Sequence, residues 1–362
     1  MGGEPMKYSV GYSPRRNKSF VEKIIECKEH IDEVYFSWGD FPNGRNAQIN
    51  SEEYSQFEVA AETEKDLERL YKEGLRFNIL FNGGCYGEYA LARSLFERIG
   101  DTVDYLAGKY RVVSVTTTSP VIAKFIKSNF PVMDVRASVN MAIGSIEGID
   151  YVSELFDSFY LKRELNRNLG EIKKISDYCR ETGKKLHMLA NSGCLNNCSV
   201  HTFHDNLVSH EKGSSEMDNA FEFVGMCHEY VSNPKNRAAL VRNTNFVRPE
   251  DMHLYEGYFT SAKLATRVSP NPTAILGAYV RGSFIGAVTD LLEPSHTGKL
   301  YPYIIDNSRF PEDFAERVMT CDKNCRECGY CDKVYENALV YLDGTGMIAD
   351  SCSPEEIDRL SK

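Results

Sequence analysis

Short β-rich runs and longer amphipathic stretches take turns along most of this chain, and that alternation constrains the fold more than any other feature. The runs are 7–12 (KYSVGY), 33–38 (EVYFSW), 76–81 (RFNILF), 111–116 (RVVSVT), 132–138 (VMDVRAS), 157–162 (DSFYLK), 185–190 (KLHMLA) and 259–266 (FTSAKLAT). Helical periodicity lies between them over 17–30, 63–73, 86–99, 119–128, 168–182 and 216–232. The stretch 119–128 opens with Ser119 as a helix cap and Pro120 at the first helical position. Over 168–182, Leu169, Ile172, Ile175 and Tyr178 fall on one face at helical spacing. Strands alternating with helices in this way predict an α/β fold. A closed TIM-like (β/α)8 barrel is the first reading, with a doubly wound open sheet as the alternative.

The alternation becomes irregular near residue 268, where SPNPT reads as a boundary. Residues 1–267 are therefore expected to form the barrel, and 268–362 an extension packed on it. Hydrophobic residues make up 42% and charged residues 26%, so the chain can bury a large core without a disulfide or metal. The net charge of −10 argues against a broad grip on nucleic acid. No apolar run approaches bilayer-spanning length, and the first residues lack a signal-peptide pattern. A cytoplasmic protein is the expectation.

In a barrel of this type the working residues sit in loops at the C-terminal ends of strands. Two such loops carry cysteine. Asn82-Gly83-Gly84-Cys85 follows the third strand, and Asn191-Ser192-Gly193-Cys194-Leu195-Asn196-Asn197-Cys198 follows the seventh. Both are expected on one rim. A third group, Cys321, Cys325, Cys328 and Cys331, is packed into eleven residues near the end of the chain. Clustered thiolates repel one another and oxidise readily unless a cation screens them. Soft thiolates select zinc or iron–sulfur clusters, and four in one short run resemble ferredoxin ligation more than paired zinc knuckles. Too little chain follows Cys328 for the barrel that a radical S-adenosylmethionine motif precedes. The remaining Cys27, Cys179, Cys227 and Cys352 read as buried apolar thiols.

Several arrangements stay open. Cys85, Cys194 and Cys198 could hold a cubane with one open iron, partnered by a fully ligated tail cluster. A single cluster could be shared between Cys194/Cys198 and two tail cysteines. Cys194, Cys198, His201 and His204 could bind zinc, or the loop could be a polar turn. Around these, LKRELNRN (161–168) supplies Arg163 and Glu164, FVRPEDM supplies Arg248 and LATR supplies Arg267, an arginine set suited to gripping an acidic substrate. His204, beside Asp205, is the candidate for proton transfer, because imidazole titrates near neutral pH. No HExxH or serine triad spacing is visible.

LKRELN, MLANSGCLNNCSVHTFHDN, FVRPEDMHLYE followed by KLATR, and CRECGYC together resemble the collagenase-like peptidase family U-32, especially its ubiquinone-biosynthesis-like branch. The resemblance runs from about Lys7 to Cys331. It implies a TIM-barrel-like fold, a cysteine-ligated [4Fe-4S] cluster and, despite the family's name, oxygen-independent hydroxylation in several members. The expected metal ligands in this chain are Cys85, Cys194, Cys198 and the four tail cysteines, with Asn82 and Asn191 beside the cofactor; the better-known branches keep their cluster cysteines in longer barrel loops, whereas here four stand in the tail. The expected partners are a small or carrier-bound anionic substrate and an electron donor. A metal-stapled accessory protein that supports a partner enzyme is the second reading, and a true peptidase the third.

Overall fold

A computed structural model describes residues 5–15, 17–45 and 55–342. The strands are β1 (Tyr8–Gly11), β2 (Ile31–Phe36), β3 (Phe77–Phe81), β4 (Val112–Thr117), β5 (Asp134–Ala137), β6 (Ser158–Tyr160), β7 (Lys185–Leu189) and β8 (Ser261–Leu264). Each pairs in parallel with its neighbours in chain order, and β1 also pairs with β8, Tyr8 opposite Ala262 and Val10 opposite Leu264. The sheet is therefore a closed eight-stranded barrel, as the alternation predicts. Every predicted run overlaps its strand, β2 starting two residues earlier and β4 ending one residue later than read.

Helices α1 (Ser19–Glu26), α2 (Gln56–Lys72), α3 (Arg93–Lys109), α4 (Pro120–Asn129), α5 (Ile146–Asp150) and α6 (Leu169–Glu181) follow the first six strands. Ser55 caps α2 in a full capping box with Glu58, and Ser119 caps α4. Apolar side chains from strands and helices meet in one continuous core. Several helix boundaries differ from the sequence reading: α2 begins at Gln56 where the pattern begins at 63, and α3 runs on to Lys109. Pattern 86–99 splits into a tight turn at Gly87–Leu91 and α3, because Gly87 takes a left-handed φ of 57°. Pattern 216–232 is helical only over Met226–Ser232, starting after Gly225 at φ 91°. The stretch read as a long loop after β7 contains α7 (His201–Ser209), whose buried members, Asp205 and Ser209, are polar.

Helix Pro272–Arg281 packs against α1 beside β8. Beyond it β9 (Tyr303–Ile305) and β10 (Leu339–Tyr341) form a small antiparallel pair. Phe310, Phe314, Val318 and Val334 from this region join the same core as Val241 and Phe246.

The barrel's interior is polar. The Glu33 carboxylate accepts from Ser9 Oγ (3.2 Å), Asn78 Nδ2 (2.8 Å), Ser114 Oγ (2.9 Å) and Arg136 Nη1 (2.5 Å). Arg136 also meets Asp134 at 3.1 Å, and His187 pairs with Ser261 at 2.9 Å. Strand side chains alternate between faces, so each strand sends apolar residues outward to the helices and polar ones inward. The charges of Glu33, Asp134 and Arg136 survive there because they are paired and hydrogen-bonded.

Candidate thiol-rich site on the barrel rim

The loop after β7 is held by backbone and amide contacts. Asn191 is fully buried. Its Nδ2 donates to the carbonyls of Ala265 (3.1 Å) and Leu291 (2.8 Å), while its Oδ1 accepts from the Ala265 N–H (2.7 Å). The Glu293 N–H donates to the Asn191 carbonyl, and the Gly193 N–H to the Glu293 carbonyl, both at 2.9 Å. Only glycine fits at 193, since a Cβ there would stand 2.1 Å from the Pro294 carbonyl oxygen. Asn191 thus orients the loop through the C-terminal segment.

Cys194 emerges from this knot against Arg163, which leaves β6. Arg163 Nη1 lies 3.0 Å from Cys194 Sγ, and Nη2 lies 2.9 Å from His201 Nε2. His201 in turn faces Asp205, one helical turn along α7, at 3.4 Å. Arg45, in the loop after β2, reaches Glu293 at 3.2 Å and Asp205 at 3.9 Å. Burial and the Arg163 charge lower the pKa of His201, and burial and Arg45 lower that of His204. Both imidazoles are therefore neutral near pH 7 and able to accept a proton or bind a metal. Glu164 opposes the shift at His201.

Cys227 joins this group. It lies on helix Met226–Ser232, only partly exposed, and its thiol is pushed up to about 11 by burial, with Cys194 and Cys198 adding to the rise. His228, next along that helix, packs at a tilt against His296 with ring centroids 4.7 Å apart, and His296 Nε2 meets the Gly193 carbonyl at 3.1 Å. The expectation of an isolated core thiol at Cys227 is corrected here. Sequence spacing gave no sign of it, because Gly225 turns the chain back over the rim. Cys27 and Cys179 are buried thiols as expected, and Cys352 lies outside the described residues.

Cys85 occupies the same rim but a different neighbourhood. Its sulfur accepts from the Gly87 N–H at 3.3 Å within its own turn, and the Gly84 N–H donates to Ser209 Oγ at 2.8 Å, at the far end of α7. Asn82 Oδ1 accepts from the Gly44 N–H at 3.3 Å. Arg267 donates to Ser37 Oγ at 3.1 Å and leans toward Asn43 Oδ1 at 3.4 Å. Arg248 does not join these groups. Both arms of its guanidinium are taken by Asp251, at 2.7 and 2.8 Å, beneath Phe310 and Phe314.

The four tail cysteines line one pocket together with Arg242, Arg317, Lys323 and Tyr330. Burial raises the pKa of Cys331, Arg167 opposes the rise, and Cys321, Cys325 and Cys328 add to it, so the four sulfurs are electrostatic neighbours. Arg167 is buried between the rings of Phe246 and Phe314. Nη1 donates to the Val241 carbonyl at 2.7 Å, while Nε and Nη2 have no hydrogen-bond partner among the described residues. A buried cation with two unused donors suits an anion, and four thiolates around a metal supply one. The residues present therefore fit a tetrathiolate group. Among the described residues, no three His, Cys, Asp or Glu side chains converge closely enough to hold one ion as they stand.

The chain is similar to uncharacterized protease MJ1657 of Methanocaldococcus jannaschii, with 24% identity over 317 residues, 87% of this chain and 90% of the relative. It is also similar in structure to the U32 peptidase Mk0906, with a TM-score of 0.51, 17% identity, and coverage of 73% of this chain and 93% of that one. At that identity the second likeness concerns the fold. No protein-family model matches the sequence. The relative carries a protease name, and the structural neighbour, a U32 peptidase, shares the barrel fold.

Proposed function

We propose that this protein is an iron–sulfur-dependent member of the peptidase U-32 family that modifies a small or carrier-bound anionic substrate without O2, most simply by hydroxylation. The observation that carries the reading is Cys194 Sγ 3.0 Å from Arg163 on the rim of a barrel, with Cys198 and Cys227 as electrostatic neighbours. Those three thiols would hold one cluster and Cys321, Cys325, Cys328 and Cys331 another, the side chains drawing inward on loading. When bound, a three-thiolate cluster supplies an iron with an open position and one-electron redox chemistry. Arg163 screens the thiolate of Cys194 and orients His201. Neutral His204 accepts a proton, Asp205 keeps His201 in place, and Arg267 meets the substrate's negative charge.

Anaerobic purification tests this directly. The expected result is brown protein absorbing near about 400 nm with roughly four or eight irons per chain. Colourless protein with stoichiometric zinc removes the redox reading and favours the accessory role. The relative's name favours a protease as the second reading; iron-independent cleavage of casein by the purified chain would establish it.

A further inference from the structure

Lys263 stands apart from the other charges inside the barrel. Arg136 is held by Glu33 and Asp134. Lys263, on β8, is only 7% exposed, and among the described residues no hydrogen bond or ion pair holds its amino group. Its Nζ instead lies 4.0 Å from the ring centroid of Tyr35 and 5.1 Å from that of Tyr160. Arg267, in the loop that follows β8, hydrogen-bonds only to the neutral Ser37 and Asn43 among the described residues, and Glu293 acts on it from a distance. The two cations share Tyr35 as a neighbour. A Cβ on Gly11 would stand 2.5 Å from the Tyr35 hydroxyl and 2.8 Å from Arg267 Cγ, so the absence of a side chain there lets the tyrosine and the arginine close over the lysine. Two buried cations that no carboxylate touches directly, Glu33 and Glu293 acting on them only from a distance, flank one aromatic ring and suit an anion that also carries an electrophilic group.

We infer that Lys263 is the amine of a covalent substrate site, forming an imine with the carbonyl of a small 2-oxo acid whose carboxylate is gripped by Arg267. The Nζ lone pair makes the new C–N bond, and the carbonyl oxygen leaves as water with both amine protons, so nothing is oxidised or reduced. Protonation of the imine then draws electrons from the adjacent carbon. Attack needs the neutral amine, and the surroundings provide it. Burial and repulsion from Arg267 and Arg136 lower the Lys263 pKa to about 7, although Glu33 and the faces of Tyr35 and Tyr160 favour the charged form. This inference is independent of any cluster, because the amine and the guanidinium lie on β8 and its following loop.

Reductive trapping tests it on the full chain. Pyruvate and sodium cyanoborohydride are added at pH 7, and labelled lysines are located by peptide mapping. Lys263 is expected to be labelled at least about tenfold faster than exposed Lys72 and Lys174, with a rate that rises through pH 7 and then levels. Propionaldehyde, a carbonyl without a carboxylate, is expected to favour Lys263 less when each probe is normalised to Lys72. Arg267→Gln should erase that difference between the probes, and Lys263→Met should remove the label. Labelling of Lys263 no faster than of Lys72 would sink the imine. Equal preference for both probes in the unaltered chain would sink the carboxylate grip.

Discussion

Single residues carry sharp consequences at the rim. Gly193→Ala forces a methyl group onto the Pro294 carbonyl, so it should cost about 3 kcal/mol or displace the Cys194 loop; urea denaturation measures the first and iron content the second. His296 titrates in a buried place. Burial and the neighbouring His228 lower its pKa to about 4, below the unfolded value of about 6.5. As pH falls through 6.5 the unfolded chain binds this proton first. The stability His296 contributes is therefore intact above about 6.5 and is lost on the way down to about 4, amounting to about 3 kcal/mol in full. Urea midpoints across that range should fall, and His296→Asn should flatten the slope. Replacing Cys227 by Ser should lower rim iron as severely as replacing Cys194, and iron analysis of the two variants beside Cys27→Ser checks it.

At the level of elements, the eight strands were legible because most are short runs rich in β-branched and aromatic residues, alternating with helical patterns; 185–190 has neither type and was legible from its place in the alternation. The polar interior was legible in part. Glu33, Arg136, His187 and Lys263 each sit inside a strand run, and in a closed barrel wrapped by helices such residues face inward. α7 was hidden because no apolar stripe marks it; it docks through Asp205 and Ser209. The site was half legible. Cys194, Arg163 and Asp205 lie in motif-like loops, but Cys227, Arg45 and Glu293 stand far apart in sequence and meet only through the fold. The interior network should be intolerant of single changes. Arg136→Met leaves Glu33 buried without its cation, at a cost of about 3–5 kcal/mol, measurable by thermal unfolding.

Barrel and C-terminal segment share one core among the described residues. Phe310, Phe314, Val318 and Val334 pack with Val241 and Phe246, and β9–β10 rests beside them. Deleting residues from 306 onward uncovers that apolar surface, so the shortened chain should aggregate, and the full chain should melt in one transition by calorimetry. No described helix is long and apolar enough to cross a membrane.

The tie between Asn191, Gly193 and Glu293 also sets a schedule. The chain emerges from the ribosome N-terminus first, and the loop bearing Cys194 is made about a hundred residues before the segment that fixes its shape. Until Leu291–Pro294 has been synthesised and folded back, Asn191 has no carbonyl at 291 to hold and Gly193 no partner at 293. Maturation of the rim is therefore a late event, completed only when most of the polypeptide exists. Any delivery of metal to it has to wait for the chain's own closing stretch.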